Sequence, residues 1–274
     1  MKTAVIGRGL IGGSLEKAAL RAGFEARVFR GRGPAPDLSG FDIVFVATPP
    51  SAIPPIVDAI ADGGTLKDGA VVVDIAGVKG MICDALAKYA GGRRWHFVGG
   101  HPMAGKEKIG YENSSESLFD GASMILTPFA EGTAGDGAGS FQSLLPRLES
   151  YFKALGFARV VVTDPRHHDE MIAFTSQLCH LMSSAYVREP LSAQHVGYSA
   201  GSFRDMVRVG APEPDTWTEL FFANRDALLP VLERYVGRLE DFRDALASGD
   251  RARLHRALEE GVAAKNLIDA DREF

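Results

Sequence analysis

The chain has 274 residues, of which 46% are hydrophobic and 24% charged, and a formal net charge of −5. This is an ordinary globular composition, long enough for two domains that each bury a core. The acidic balance gives no general basis for nucleic-acid binding, and no apolar run is long enough to cross a membrane.

Lys2–Ile6 reads as a strand that runs into a glycine turn, and 11–22 reads as a helix stopped by Gly23. Ala26–Phe29 is a second strand. Asp42–Ala47 is a third, apolar on both faces as a central parallel strand should be. Ser51 is placed to cap a helix reaching Ile60, with prolines confined to its first turn. Strands follow at 71–75, 95–98, 123–127 and 159–163, with helices at 78–89 and 141–155. The Gly/Ala-rich segment 130–139 is expected to be a surface loop. This alternation predicts an α/β domain, a Rossmann-type doubly wound parallel sheet over 1–164. Residues 165–274 predict an all-helical domain, with helical spacing at 168–187, 191–208 (broken), 215–247 and 252–271. Leu220, Leu228, Val231, Leu232, Leu239 and Phe242 are expected to share one helix face, either as intradomain core or, as expected here, as a homodimer interface.

The turn reads Gly7-x-Gly9-x-x-Gly12, between a strand and a helix. The first glycine permits the tight turn, the second admits the pyrophosphate, and the third lets the helix pack on the strand. The helix N-terminus offers N–H groups to the phosphates. Candidate cofactor contacts are Gly7, Gly9, Leu10, Ile11 and Gly12, with Thr48 and Pro49 after the third strand. At the end of the second strand, where an acid would accept from the ribose hydroxyls of NAD, stands Arg30-Gly31-Arg32. Two guanidinium groups suit the 2′-phosphate of NADP, so NADP is the expected cofactor and NAD the lesser one. Asp37 is a rival for the acidic role, but it lies past the strand end.

Three further segments stand out: Gly99-Gly100-His101-Pro102-Met103-Ala104-Gly105, Thr175–Leu181, and Gly201-Ser202-Phe203-Arg204-Asp205-Met206-Val207-Arg208. With Gly9–Ser14, Glu107, His168-Asp169, Trp217 and Asn224, they make nearly the whole chain resemble the prephenate and arogenate dehydrogenases of tyrosine biosynthesis. The resemblance implies oxidative decarboxylation of a cyclohexadienol to an aromatic ring, with hydride transfer to a nicotinamide. It implies His101 as the base and Arg208 as the clamp for the ring carboxylate. It also implies Arg204, Asp205 and His180 near the substrate, with Trp217 as a pocket wall. An imidazole beside the carboxyl edge of a sheet can accept a hydroxyl proton near neutral pH.

The chain departs from this family's pattern in three places. Gly77 stands in the substrate-side slot before Val78-Lys79-Gly80, where members carry Ser. Gln177-Leu178-Cys179-His180 replaces His-Leu-Pro-His, and Lys106 replaces a small hydroxyl residue. Lys106 adds a positive charge that fits a doubly anionic substrate such as prephenate better than zwitterionic arogenate. Two alternatives are a related β-hydroxyacid or imine reductase and a catalytically impaired NADP-binding regulator. The first usually relies on a lysine on the first helix after the sheet, and no Lys lies between Lys153 and Lys265. Cys83 and Cys179 have no metal-ligand spacing and read as reduced thiols, so no metal is expected. The start of the chain reads as a strand and not a secretory signal, which leads to a cytoplasmic expectation. No appended amino-acid-sensing or mutase domain is expected.

Overall fold

The structure is a computed structural model that describes residues 1–90, 94–106, 108, 110–129 and 141–270. The predicted loop 130–139, together with Glu107 and Asp271, lies outside the described residues. Seven strands form one sheet: β1 (Lys2–Ile6), β2 (Glu25–Phe29), β3 (Ile43–Val46), β4 (Val71–Asp74), β5 (His96–Pro102), β6 (Ser123–Thr127) and β7 (Arg159–Val162). Their order is β2-β1-β3-β4-β5-β6-β7. The first five run parallel. The expected all-parallel sheet is corrected at one seam, because β6 pairs antiparallel with β5, and β7 is parallel to β6.

Helices cover both faces: α1 (Leu10–Arg21), α2 (Ile53–Gly63), α3 (Gly80–Leu86) and α4 (Phe141–Ala154). Alternation along β3 sorts the two cores. Ile43 and Phe45 pack with Leu15, Leu148, Tyr151 and Phe152, whereas Val44 and Val46 pack with Val57, Ile60, Ile82 and Leu86. Ser51 is not a helix cap. It sits inside a 3₁₀ turn (Pro50–Ala52), and its backbone N–H donates to Glu219 Oε1 at 2.8 Å.

After β7, Asp164 caps the next helix by accepting from the His167 N–H at 2.9 Å, and Pro165 takes the first helical turn. The predicted helix over 168–187 is a continuous rod with a change of pitch. It comprises α5 (Pro165–Ile172), a π-helical stretch (Ala173–Leu178) and α6 (Cys179–Val187). Further on come α7 (Gly201–Val207), α8 (Pro214–Ala223), α9 (Arg225–Ser248) and α10 (Arg251–Ala270). The single helix expected over 215–247 is therefore two, interrupted at the buried Asn224. Leu220 lies on α8, not on the α9 face of Leu228 and Leu239, and it packs against the core under α2 and α3. By contact density the chain forms two compact units, 1–225 and 226–274. In the second, Arg253 Nε on α10 donates to Asp241 Oδ1 on α9 at 2.8 Å. Val236, Leu239, Leu246, Val262 and Leu267 are exposed on these helices. No described helix is long and apolar enough to cross a membrane.

Candidate active site

The glycine turn has the geometry its sequence predicts. Gly7 has φ +122, and a Cβ there would meet the Ala47 carbonyl oxygen at 2.1 Å. A Cβ at Gly12 would meet the Gly7 carbonyl oxygen at 2.1 Å, so strand, turn and helix are packed backbone to backbone. At Gly9, the residue before α1, a Cβ would meet nothing within 4 Å, and no acid stands in the first helical turn. That open, anion-compatible helix start fits a pyrophosphate. Beside it, Thr48 Oγ1 is buried and without a hydrogen-bond partner among the described residues, and Pro49 is exposed. Arg30 and Arg32 are exposed beyond β2. Asp37 folds into its own loop, where its Oδ1 accepts from the Ser39 N–H at 3.0 Å.

His101 lies within β5 and not after it, as the sequence pattern had it, because β5 extends to Pro102. The strand pairs with β4 up to Val98 and with β6 from Gly99. Gly99 and Gly100 permit this squeeze. A Cβ at Gly99 would lie 2.2 Å from Thr127 Oγ1, and one at Gly100 would lie 2.6 Å from Val73 Cγ1. The Gly100 carbonyl accepts from Lys79 Nζ at 2.7 Å, and Lys79 also pairs with Asp74 in full burial. The backbone entering His101 is thus fixed by a buried ion pair.

His101 Nδ1 lies 2.9 Å from His168 Nε2. His168 Nδ1 lies 2.7 Å from Asp169 Oδ1. The Asp169 carboxylate also accepts from the Lys79 and Gly80 N–H groups, each at 2.8 Å. A carboxylate only accepts. With both rings neutral, His168 therefore carries its proton on Nδ1, His101 donates from Nδ1, and His101 Nε2 is left as a free acceptor. That nitrogen faces the Gly77 position, where a Cβ would lie 3.8 Å from Nε2 and 3.5 Å from Leu220 Cδ2. Burial, then His168 and Lys79, hold the His101 pKa well below 6.5.

Asn224 secures the base of this chain. Its amide donates to the Asp169 carbonyl at 2.9 Å and to Gln177 Oε1 at 2.7 Å, and Gln177 donates to the Leu220 carbonyl at 3.2 Å. The π-helical stretch has a geometric consequence. In a plain α-helix His168 and His180 would stand about 120° apart around the axis. The six-residue π segment, with its wider turns, lies between the two and changes that relation.

A cavity of about 710 Å³ is lined by residues that include Lys106, Lys108, Asn113, His180, Arg208 and Trp217. His180 packs against Trp217 with ring centroids 3.7 Å apart and planes tilted by 40°, and its Nδ1 meets the Val209 carbonyl at 3.1 Å. Burial lowers the His180 pKa, the Val209 hydrogen bond opposes this, and Arg208 lowers it further. Glu213 borders the same cavity, but its carboxylate caps α8 by accepting from the Asp215 and Thr216 N–H groups. Of the predicted substrate residues, His180, Arg208 and Trp217 meet in this cavity. Gly77 meets His101, while Arg204 and Asp205 are exposed on α7. Sequence reasoning did not give His168, Asp169, Lys79 or Gln177 a role. No group of His, Cys, Asp or Glu suited to a metal ion occurs among the described residues.

Two family models match the chain: "Prephenate dehydrogenase, nucleotide-binding domain" over 3–137 and "Prephenate dehydrogenase, dimerization domain" over 164–260. A cyclohexadienyl dehydrogenase of Zymomonas mobilis is 30% identical over 85% of this chain and 77% of its own length. A prephenate dehydrogenase of Bacillus subtilis is 26% identical over 78% of this chain, which spans only 56% of that relative. The crystal structure of Synechocystis arogenate dehydrogenase superimposes with a TM-score of 0.76 at 26% identity, covering 98% of this chain and 100% of that one. The chain belongs to the prephenate dehydrogenase family of nicotinamide-dinucleotide-dependent oxidoreductases.

Proposed function

We propose that the protein catalyses the oxidative decarboxylation of prephenate or arogenate in tyrosine biosynthesis, prefers NADP, and uses His101 as its base. The observation that carries this reading is the chain Asp169–His168–His101, which leaves His101 Nε2 free at the Gly77 side of the site. The bound nicotinamide would supply the hydride acceptor. His101 Nε2 takes the proton of the substrate hydroxyl, and the charge that develops is stabilised through His168 by Asp169. Arg208 holds a carboxylate, Trp217 and His180 wall the pocket, and Arg204 and Asp205 act at its edge. Loss of CO₂ then leaves an aromatic ring.

Arg30 and Arg32 are exposed cations at the end of β2, and Asp37 is occupied in its own turn, which supports NADP over NAD. Gly9, Leu10, Ile11 and Thr48 would line the pyrophosphate and nicotinamide path. The exposed leucines and valines of α9 and α10 support a homodimer, which light scattering should report at twice the 29.4 kDa chain mass. Cofactor reduction assayed separately with prephenate and arogenate, each with NADP⁺ and NAD⁺, tests the reading. Absence of turnover with either substrate would reject it.

A further inference from the structure

Arg8 lies between the first two glycines of the turn and is exposed. Its guanidinium carbon sits 4.5 Å from the centroid of the Tyr111 ring. Tyr111 belongs to the segment that follows β5 and folds back onto α1. Its hydroxyl donates to Glu16 Oε2 at 2.8 Å, and Lys17 Nζ lies 5.0 Å from the ring centroid. The ring rests on Gly13, where a Cβ would meet it at 2.6 Å. Around it, Lys17 Nζ donates to the Ser114 carbonyl at 2.9 Å, and the Ser115 N–H donates to Ser14 Oγ at 3.0 Å. Gly12 and Gly13 thus serve two sides of one helix, the first packed on the sheet and the second on Tyr111.

Arg8 forms no ion pair among the described residues. Glu16, the acid in this group, is engaged by Tyr111 and by the Val28 N–H at 3.2 Å. A cation is therefore held on an aromatic face at the start of α1, with no acid paired to it among the described residues. The anion that both dinucleotides present at such a turn is the pyrophosphate.

We propose that Arg8, preset by the Tyr111 ring, is a pyrophosphate clamp that strengthens NADP and NAD binding equally. The clamp is distinct from Arg30 and Arg32, whose expected target is the 2′-phosphate. Stacking removes rotamer freedom from the guanidinium before the ligand arrives, so less is lost on binding. Because Tyr111 follows His101 in the same segment, the clamp also ties the catalytic strand to the cofactor helix. The inference rests on the dinucleotide-binding reading of the turn.

Isothermal titration of NADP⁺, NAD⁺ and adenosine 2′-monophosphate into wild type, Arg8→Met, Tyr111→Leu and Tyr111→Phe tests it without any substrate. Melting temperatures taken alongside identify a variant that has not folded. Arg8→Met should weaken both dinucleotides by the same factor, about tenfold for a lost charge-assisted contact, and leave adenosine 2′-monophosphate unchanged. Tyr111→Leu should weaken both dinucleotides by less, and Tyr111→Phe, which keeps the ring, should stay within about twofold. Dinucleotide affinities of Arg8→Met within about twofold of wild type, or a loss confined to NADP⁺ and the 2′-monophosphate, overturn the clamp. Full affinity in Tyr111→Leu overturns the presetting. Failure of the wild type to bind either dinucleotide is a different result, one that overturns the dinucleotide reading itself.

Discussion

His168 is fully buried and holds His101 by a 2.9 Å contact between Nε2 of the first and Nδ1 of the second. That relationship gives the strand histidine a defined tautomer, with Nε2 free to accept a proton. It depends on Asp169, two steps from the free nitrogen. In Asp169→Asn the amide can present N–H to His168 Nδ1, which reverses both tautomers and leaves His101 Nε2 protonated. The expected result is a fall in kcat of roughly 10²–10⁴-fold with KM for the dinucleotide little changed. Steady-state kinetics read this directly, and an unchanged kcat would break the relay.

The His101 pKa is depressed by burial, His168 and Lys79, so folding disfavours its protonated form. The native state binds fewer protons than the unfolded state once pH drops below 6.5, the ordinary value for histidine. Stability from this group is therefore complete above that pH and is lost as pH falls through the lower folded pKa. Denaturant titrations at several pH values should show this acid loss, and His101→Asn should reduce its slope. His180 is also depressed and leaves a residue of the effect. In wild type the acid limb of kcat/KM should lie well below 6.5, since the base stays neutral there. A limb at or above that value would contradict the depression.

Gly77 leaves room beside His101 Nε2. A Cβ there makes only ordinary contacts, the nearest at 3.5 Å to Leu220 Cδ2. Gly77→Ser should therefore fold as wild type and place a hydroxyl within reach of His101 Nε2. One added hydrogen bond to the reacting group contributes about 1 kcal/mol, so kcat should rise about fivefold. A fall in kcat without loss of melting temperature would mean that the space is needed by the substrate.

Arg30 and Arg32 give a cofactor test separate from catalysis. Arg30→Ala with Arg32→Ala should raise the dissociation constant for NADP⁺ by about 10- to 100-fold and leave that for NAD⁺ within about twofold. Equal losses for both cofactors would remove the 2′-phosphate assignment.

Much of the sheet was legible because its signals are local. Lys2–Ile6 and the glycine spacing need only the chain around them, and β1 matched residue for residue. Direction was not legible: Ser123–Thr127 reads as a strand whichever way it runs, and only pairing with β5 fixes it as antiparallel. The extension of β5 to His101 was hidden because Gly99 and Gly100 look like a turn, whereas here they admit close neighbours. The break at Asn224 was hidden because its cause is tertiary, a side chain bonded to Asp169 and Gln177 some fifty residues back. His101, Arg208 and Trp217 came from motifs. His168 and Asp169 sat in a motif too, but their role appears only where α5 meets β5, and the π segment has no sequence signature of its own.

His101 is proposed here as the base of a prephenate or arogenate dehydrogenase. The most direct test is the initial rate of NADP⁺ reduction with each substrate for wild type and His101→Asn. Turnover by wild type that falls by about 10³-fold or more in the variant, with substrate KM within about threefold, is the predicted result. A variant that retains turnover, or a wild type that reduces no cofactor with either substrate, would contradict it.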